Sequence, residues 1–281
     1  MIVIGVKGGF GNQLFQYALY FTFKRDGYDV YLDLTWYKNR PIQFILSEYF
    51  LISPDVYYKK RISFANVEKN IFSRVRRKFW RKNSHYIENQ YRFNEEIFGY
   101  TSKKNIFLDG YWQSYKYFDK YQTLIRDVFF PETVRDRYSQ LLDEKYGTYK
   151  RILAIHVRRG DYRNDSVMVM QPGSFYKNAL DLYRKRWDDS IYLVFSDDIA
   201  EAQQIFRDDR VYYVDWTKRM IDDFYLMASC DDFIISNSTF SYWSAFLSTS
   251  EDKVVYYPKN WFKHSDDRDI SFMFPEVWLG I

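Results

Sequence analysis

Short apolar runs alternate with amphipathic stretches along most of the chain. The run over 2–6 predicts a buried strand, and a glycine-rich loop separates it from a helix over 14–25 whose apolar residues share one face. Asn12 is expected to cap this helix and Gly27 to end it. Residues 29–34 alternate again, so the chain opens with the strand–loop–helix–strand order of an α/β domain.

The alternation resumes after residue 147, where apolar runs are separated by stretches with helical periodicity. Strands are predicted over 151–157, 191–195, 211–214, 233–235 and 253–257, and helices over 174–187, 199–206, 221–229 and 240–247. This order predicts a doubly wound parallel sheet. The aromatic-rich stretch 41–117 lacks a clear period and is interpreted as helices and long loops.

Length and composition agree with two domains. At 281 residues, 47% of them apolar, the chain can fill two cores of roughly 100–150 residues each. We therefore expect an α/β fold with two Rossmann-like domains, over 1–147 and 148–258, and a tail over 259–281 that packs back on the body.

Several features indicate a cytoplasmic protein. The single cysteine, Cys230, excludes an intrachain disulfide, which suits a reducing compartment. The N-terminus lacks the basic flank and the long apolar run of a signal peptide. Charged residues interrupt every hydrophobic segment, so no stretch reaches the roughly 20 apolar residues that a membrane span needs.

Positive charge is concentrated in one segment. The net charge is +4, but residues 59–82 hold ten Lys or Arg residues and a single acid, Glu68. Apolar residues recur there at helical spacing with arginines on the opposite face, a pattern typical of helices that lie on an anionic membrane. A solvated helix that packs on its own domain has the same pattern, and both interpretations stay open. Nucleic acid is not favoured, because no known binding module accompanies the basic residues.

Candidate chemistry lies directly after the apolar runs, because open α/β sheets bind ligands at the carboxyl ends of their strands. After the first run, Gly9 and Gly11 let the backbone approach a ligand. Asn12 and Gln13 follow at a helix start whose amides suit a phosphate or a sugar. A simple tight turn would use the same glycines and is the alternative.

The run over 151–157 leads into His156-Val157-Arg158-Arg159-Gly160-Asp161-Tyr162. Two adjacent arginines at a strand end are costly to bury unpaired and favour a diphosphate ligand. While the chain stays extended, Arg158 and Arg159 point to opposite sides, so one could bind phosphate while the other pairs with Asp161 or another acid. A surface cluster of salt bridges is the alternative.

Two further strand ends carry polar residues. Asp197 and Asp198 could accept hydrogen bonds from a ribose or a guanine edge, or could cap the following helix. After the run over 233–235 the chain continues with Asn237, Ser238, Thr239 and Phe240. Hydroxyls and backbone amides at this helix start favour an anion, whereas capping by Ser238 is the simpler interpretation.

No metal site is expected. His85, His156 and His264 are far apart and lack ligand spacing, and the acidic doublets are not an Asp-x-Asp pair. Only 267–269 has that spacing, in a polar loop that no apolar strand precedes. A departing diphosphate would then be neutralised by arginine and by helix-start amides.

Taken together, these motifs resemble the bacterial alpha-1,2-fucosyltransferase family. The resemblance rests on the segments 8–18, 110–114, 156–162, 195–198, 237–241 and 258–262, which run nearly end to end. The His-x-Arg-Arg-Gly-Asp-Tyr segment is the most specific of them. The resemblance implies a glycosyltransferase fold of the B type, with an acceptor-side first domain and a nucleotide-binding second domain.

The resemblance also implies a chemistry. The donor would be GDP-L-fucose, with inversion at the anomeric carbon and no metal or other cofactor. Arg158 would bind the β-phosphate, His156 would lie near the nucleoside, the turn at Ser238 would contact phosphate, and Asn12 would reach the donor sugar or diphosphate. Asp161 is the local candidate for the base that deprotonates the acceptor, and orienting Arg159 is its alternative role.

The expected reaction transfers L-fucose to the 2-hydroxyl of a galactoside, in an oligosaccharide or lipid-linked acceptor, during synthesis of a surface glycan. The enzyme would be cytoplasmic, or peripheral on the inner face of the membrane through 59–82. Aromatic residues such as Trp36, Tyr37, Tyr111 and Trp112 could line an acceptor cleft or simply fill the core.

Three alternatives stay open. The same fold could use another GDP-sugar or acceptor, or the chain could be a nonenzymatic sugar-nucleotide or glycan-binding protein. A nicotinamide oxidoreductase is suggested by the glycine-rich loop and by Asp33, which is spaced for a ribose contact. Against it, Leu14 stands where the dinucleotide fingerprint needs glycine.

Overall fold

The chain folds into two compact units. A computed structural model describes residues 1–58, 85–88, 92–99, 105–263 and 269–281, and the units are Met1–Val128 and Phe129–Ile281. The division comes before the expected boundary at residue 147 because helix Glu132–Tyr146 packs within the second unit. The ring of Tyr138 on this helix lies 5.4 Å from the ring of Tyr225.

The first unit contains a parallel sheet with the strand order β2-β1-β4-β3. The strands are β1 (Ile2–Gly5), β2 (Val30–Asp33), β3 (His85–Ile87) and β4 (Ile106–Asp109). The helices are Phe10–Arg25, Leu46–Tyr49, Glu96–Gly99 and Gln122–Phe129, with 3₁₀ turns at Thr35–Tyr37, Tyr115–Tyr117 and Asp119–Tyr121. The predicted strand–helix–strand opening is confirmed.

Two features of this unit differ from the prediction. Helix Phe10–Arg25 begins before Asn12, so Gly9 occupies the N-cap position and Asn12 lies in the first turn. Gly27 follows the helix with φ 82°, the left-handed conformation expected where a helix stops. β3 and β4 lie in the stretch interpreted as helices and long loops, so that interpretation is wrong for these two segments.

The second unit contains a larger parallel sheet with the strand order β10-β9-β8-β5-β6-β7. The strands are β5 (Arg151–Val157), β6 (Ser190–Ser196), β7 (Val211–Tyr213), β8 (Asp232–Ile234), β9 (Val255–Tyr257) and β10 (Leu279–Gly280). The helices are Glu132–Tyr146, Gly173–Arg184, Ile199–Ile205, Met220–Ala228 and Thr239–Leu247, with 3₁₀ turns at Gly160–Arg163 and Ser271–Met273. The predicted strands and helices after residue 147 are confirmed with small shifts in their bounds.

The tail completes the second sheet. β10 pairs with β9 in parallel, and the ring of Trp278 lies 5.1 Å from that of Tyr242 on helix Thr239–Leu247. The described part of the tail thus packs on the second unit.

Central strand β5 is positioned by its core and by one ion pair. Leu153 and Ile155 are fully buried and belong to the same cluster as Tyr183. At the amino end of β5, Arg151 Nε lies 2.6 Å from Asp232 Oδ2, to which the Tyr183 hydroxyl also donates over 2.8 Å. These contacts fix β5 to β8 at the edge of the sheet opposite the carboxyl ends of the strands.

Within the described ranges, no helix is long and apolar enough to cross a membrane. The basic segment 59–82 lies outside the described residues, so its membrane contact stays a prediction. Most of the Asp-Arg-Asp sequence at 267–269 also lies outside them.

Candidate active site

Three strand ends bring most of the predicted residues of the second unit together. β5 lies between β8 and β6, and parallel strands end at one edge of a sheet. Arg158 after β5 contacts Asp197 after β6, and the Tyr162 hydroxyl donates to the carbonyl of Asn237 after β8 over 2.9 Å. The three ends form one continuous polar edge.

Arg158 supplies positive charge at this edge. Its Nε and Nη2 donate to Asp161 Oδ1 over 3.1 and 2.7 Å, and its Nη1 lies 2.9 Å from Asp197 Oδ2. The guanidinium carbon is 5.5 Å from the ring centroid of Tyr162. The Arg158 side chain remains 32% exposed, so it can reach a ligand while the two acids fix its plane.

Arg159 points to the other side of the chain, as alternation predicts, and is buried. Its Nε lies 2.6 Å from Glu201 Oε1, and its Nη1 donates to a backbone carbonyl over 2.7 Å. Its backbone N–H donates to Asp197 Oδ1 over 2.8 Å. One interpretation of the sequence was that Asp161 orients Arg159. The structure shows that it does not. The acid that holds Arg159 is Glu201, and Asp161 pairs with Arg158.

Asp197 connects both arginines, and the glycine of the motif makes room for it. One of its oxygens accepts from the Arg159 backbone and the other pairs with Arg158. A Cβ on Gly160 would clash with Asp197 Oδ2. Residue 160 therefore has to be glycine for Asp197 to keep this position.

Asp198 has a local structural role. It caps helix Ile199–Ile205 by accepting from the Glu201 backbone N–H over 2.9 Å, and it lies 2.5 Å from Arg163 Nη2. The hydrogen bond from this N–H and the Arg163 guanidinium lower the pKa of Asp198. Capping, one of its two predicted roles, is confirmed for Asp198.

His156 is buried between two hydroxyls. Its Nδ1 lies 2.8 Å from Ser236 Oγ and 2.9 Å from Ser241 Oγ, and its ring centroid is 5.8 Å from that of Phe240. Burial, with a smaller contribution from nearby Arg158, lowers the pKa of His156 to about 3. The imidazole is therefore neutral near pH 7 and contributes packing and hydrogen bonding, not positive charge.

The segment after β8 opens helix Thr239–Leu247. Ser238 caps this helix, because its Oγ accepts from the Phe240 backbone N–H over 3.3 Å. Asn237 is buried, and its Nδ2 donates to two loop carbonyls, each over 2.8 Å. Thr239 and Phe240 are half-buried in the first turn, the end of a helix whose amides favour an anion.

In the first unit, the glycine-rich loop carries the remaining predicted residues. Gly8 has φ 85°, and a Cβ on it would approach Asn12 Nδ2 to 2.6 Å. At Gly9, no described atom lies within 4 Å of the Cβ position. Gly11 is buried within the helix. Gln13 is also buried, and its amide is bonded to the backbone of a neighbouring loop, so it braces the loop.

Three contacts at this end of the first sheet are not predicted by the sequence. Gln113 Nε2 donates to Asn12 Oδ1 over 2.8 Å, and Lys7 Nζ lies 2.7 Å from Asp109 Oδ1. Glu88 accepts from a backbone N–H of the turn after β4 over 2.7 Å. Gln113 lies in the segment 110–114 that carries the family resemblance, but the sequence does not show its partner. The contacts depend on the pairing of β4 with β1 and with β3, which brings these residues together.

The aromatic residues proposed for an acceptor cleft and Asp33 are buried or half-buried. Trp112 and Tyr37 are buried in the core, whereas Trp36 and Tyr111 are half-buried. Asp33 is buried and accepts from a backbone N–H two residues further on, so its contacts are those of a turn. In the described parts of the chain, no three His, Cys, Asp or Glu side chains are grouped to hold a metal ion.

A protein family and several known proteins are similar in sequence to this chain. The family model described as Glycosyl transferase family 11 matches residues 1–281. The chain is 28% identical to the Alpha-1,2-colitosyltransferase of Escherichia coli, over 100% of this chain and 99% of that protein. It is 26% identical to the O-antigen biosynthesis glycosyltransferase WbnK of Escherichia coli, over 98% and 99%. A Galactoside 2-alpha-L-fucosyltransferase of Caenorhabditis elegans is 27% identical over 57% of this chain and 48% of its own length.

A solved structure shares the fold. The fucosyltransferase NodZ from Bradyrhizobium matches with a TM-score of 0.52 and 15% identity, covering 88% of this chain and 93% of its own. The two parallel sheets and this likeness confirm the glycosyltransferase B-type architecture that the resemblance implied. Since the family model covers every residue of the chain, the protein is a glycosyltransferase that belongs to glycosyl transferase family 11.

Proposed function

We propose that the protein transfers L-fucose from GDP-L-fucose to the 2-hydroxyl of a galactoside, with inversion and without a metal or other cofactor. The observation that carries the proposal is the partly exposed Arg158 guanidinium at the carboxyl end of β5. A diphosphate leaving group needs a fixed cation of this kind. The names of two relatives, a 2-alpha-L-fucosyltransferase and an alpha-1,2-colitosyltransferase, support the type of sugar and the linkage.

In the proposed donor complex, the diphosphate takes the place of Asp161 on Arg158. A phosphate can occupy the same Nε and Nη2 edge of the guanidinium that Asp161 occupies in this structure. Of the two carboxylates that contact Arg158, Asp161 is the one that the diphosphate displaces more easily, since its side chain is 66% exposed and that of Asp197 is 25% exposed. Asp197 also accepts from a backbone N–H, so it stays and keeps the guanidinium oriented.

Once released, Asp161 is the proposed base. The acceptor hydroxyl oxygen attacks the anomeric carbon, the bond from that carbon to the β-phosphate oxygen breaks, and the hydroxyl proton passes to the Asp161 carboxylate. GDP leaves with the electron pair of the broken bond. Arg158 and the amides at the start of helix Thr239–Leu247 stabilise the charge that develops on it.

The remaining predicted residues complete the proposed donor site. Gly9 and Asn12 of the first unit would contact the donor, Gly11 would let the helix start come close to it, and His156 would lie near the nucleoside. The acceptor would be a galactose-containing oligosaccharide, free or lipid-linked, in the synthesis of a surface glycan. We place the enzyme in the cytoplasm, with a peripheral contact to the inner face of the membrane through 59–82.

A second donor candidate is GDP-colitose, favoured by the name of the Escherichia coli colitosyltransferase. Colitose lacks one ring hydroxyl of L-fucose. The two donors therefore share their phosphate and nucleoside contacts and differ by one hydrogen-bonding group. The ratio of kcat/KM for the two GDP-sugars decides between them.

The test is to incubate purified protein with each GDP-sugar and a panel of galactosides in the presence of EDTA. We expect a product that carries one added sugar, with the α-1,2 linkage verified by NMR. Absence of both transfer and donor hydrolysis across the panel would favour a sugar-nucleotide or glycan-binding protein. Transfer that stops with EDTA and resumes with Mg²⁺ would contradict the metal-independent mechanism.

A further inference from the structure

A hydrogen bond between two carboxamides fixes the orientation of Asn12. Gln113 Nε2 donates to Asn12 Oδ1 over 2.8 Å, across 101 positions in the sequence. Because Asn12 uses its oxygen for this bond, its Nδ2 is the end available as a donor to a ligand. Nδ2 faces the glycine-rich loop, where the missing side chain of Gly8 leaves it room.

Gln113 is itself held by a turn that Glu88 stabilises. Trp112 has φ 58°, a left-handed conformation that costs a non-glycine residue about 1–2 kcal/mol. Glu88 offsets this cost, because its carboxylate accepts the backbone N–H groups of Tyr111 over 2.7 Å and of Trp112 over 3.1 Å. Gly110 is needed beside it, since a Cβ there would come within 2.5 Å of Glu88 Cβ.

The buried indole of Trp112 adds a second constraint on the turn. Trp112 is fully buried, and its ring stacks on that of Tyr86 with centroids 6.0 Å apart. Glu88 holds the backbone of Trp112 and the core holds its side chain. The backbone position of the next residue, Gln113, is therefore restricted. Gln113, only 7% exposed, is thereby aimed at Asn12.

We propose that Gln113, held by Glu88, is a positioning residue that makes Asn12 offer a hydrogen-bond donor to an oxygen of the sugar nucleotide. The inference rests on the proposed function, in which Asn12 contacts the donor. Both the diphosphate and the sugar have oxygen acceptors. GDP and GDP-L-fucose distinguish them, because only the latter carries the sugar.

The variant Gln113→Glu tests the direction of the hydrogen bond. The new carboxylate keeps the shape of the side chain but has no N–H to donate. Asn12 would turn its Nδ2 toward this carboxylate and its Oδ1 toward the ligand, where two oxygens repel. We expect donor binding about tenfold weaker and KM for GDP-L-fucose raised by a similar factor. Weaker binding of GDP as well would assign the contact to phosphate, and an unchanged affinity for GDP would assign it to the sugar.

A double-variant cycle tests whether Gln113 acts through Asn12. Gln113→Ala and Asn12→Ala are each expected to weaken GDP-L-fucose binding, and the double variant should be no weaker than Asn12→Ala alone. Isothermal titration calorimetry measures each affinity, and thermal unfolding shows that each variant is folded. Gln43→Glu is the matched control. It makes the same amide-to-acid change in the same unit at an exposed side chain, where Gln43 Nε2 donates to the carbonyl of Arg40, and it should leave the affinity unchanged.

The outcomes distinguish a failure of the positioning role of Gln113 from a failure of the proposed function. If wild-type protein binds GDP-L-fucose and the folded Gln113 variants bind it equally well, the positioning role is wrong and the proposed function stands. Additive losses in the double variant would also overturn the route through Asn12. A wild-type protein that binds neither nucleotide would overturn the proposed function and this inference with it.

Discussion

Replacing Arg158 tests the proposed diphosphate contact most directly. In Arg158→Ala, Asp161 and Asp197 lose the cation that lies between them at the end of β5. The adjacent Arg159 cannot take over, because it is buried and paired with Glu201. An incoming diphosphate would then meet two uncompensated carboxylates.

The size of the loss follows from the geometry. A unit charge pair about 4 Å apart near a protein surface is worth about 4 kcal/mol at an effective dielectric constant of roughly 20. Because Arg158 is 32% exposed, solvent reduces this value, and we take about 2–4 kcal/mol. That corresponds to a loss of roughly 30- to 1,000-fold in kcat/KM. Arg158→Lys keeps the charge but not the planar two-point contact, so its loss should be smaller, about tenfold.

The assay measures kcat/KM with GDP-L-fucose, or with whichever GDP-sugar is the better donor, together with the affinity for GDP. Arg163→Ala is the control. Arg163 belongs to the same 3₁₀ turn as Asp161 and also pairs with two acids, but these are Asp198 and Glu201. Since its side chain is 47% exposed, its removal should change kcat/KM by no more than about twofold. Thermal unfolding of both variants separates a lost contact from a lost fold.

Two results would contradict a contact between Arg158 and the diphosphate. One is a folded Arg158→Ala protein with nearly wild-type kcat/KM and GDP affinity, which would mean that the diphosphate binds elsewhere. The other is an equal loss in Arg163→Ala, which would mean that the general charge of the turn matters and not the position of Arg158.

Three further predictions follow from the same edge of the sheet. Asp161→Asn should bind GDP about three- to tenfold more tightly, because a competing carboxylate is removed, yet lose at least about 100-fold in kcat if Asp161 is the base; unchanged kcat would exclude that role. Burial lowers the pKa of His156 to about 3 from its ordinary 6.5, so only the unfolded chain gains this proton as the pH falls from 6.5. The contribution of His156 to the unfolding free energy should therefore fall by about 1.2 kcal/mol between pH 6 and pH 5. Urea denaturation measures this change, and a folded His156→Asn variant should lack that part of the pH dependence. Gly160→Ala should displace Asp197 and lower kcat/KM about tenfold, whereas Gly173→Ala, whose new Cβ meets Ile205 at an ordinary 3.7 Å, should be neutral; equal effects would contradict the argument.

The strands of the second sheet are predicted from the sequence because they are apolar runs that alternate with helices. β5 and the strands beside it are buried on both faces, so each appears as an apolar run that is followed by polar residues. The polar residues after these runs could be assigned to one edge of a sheet without knowing the strand order. The sequence therefore predicts Arg158, Asp197 and Asn237 at one edge, where the structure has an ion pair between Arg158 and Asp197 and a hydrogen bond from the Tyr162 hydroxyl to the Asn237 carbonyl.

Predictions from the sequence were wrong or undecided where the position of a residue depends on tertiary contacts. Asn12 is a better helix cap than glycine in isolation, but the chain starts its helix at Phe10 and uses Asn12 for a bond to Gln113. The alternation of side chains along an extended strand predicts that Arg158 and Arg159 point to opposite sides. Because the two side chains are identical, the sequence does not show which of them faces solvent. Glu201, on the helix after β6, decides this by pairing with Arg159.

The charges at the end of β5 explain how one acid can serve both binding and catalysis. Arg158 faces two carboxylates in this structure, so the cluster is already net negative before a diphosphate arrives. Adding a dianion is unfavourable unless one carboxylate leaves. Asp197 would lose the backbone N–H of Arg159 as well as Arg158, whereas Asp161 would give up Arg158 alone among its described hydrogen bonds. In the proposed mechanism the donor would therefore release Asp161, and a carboxylate free to accept a proton would exist beside the β-phosphate only when the donor is bound.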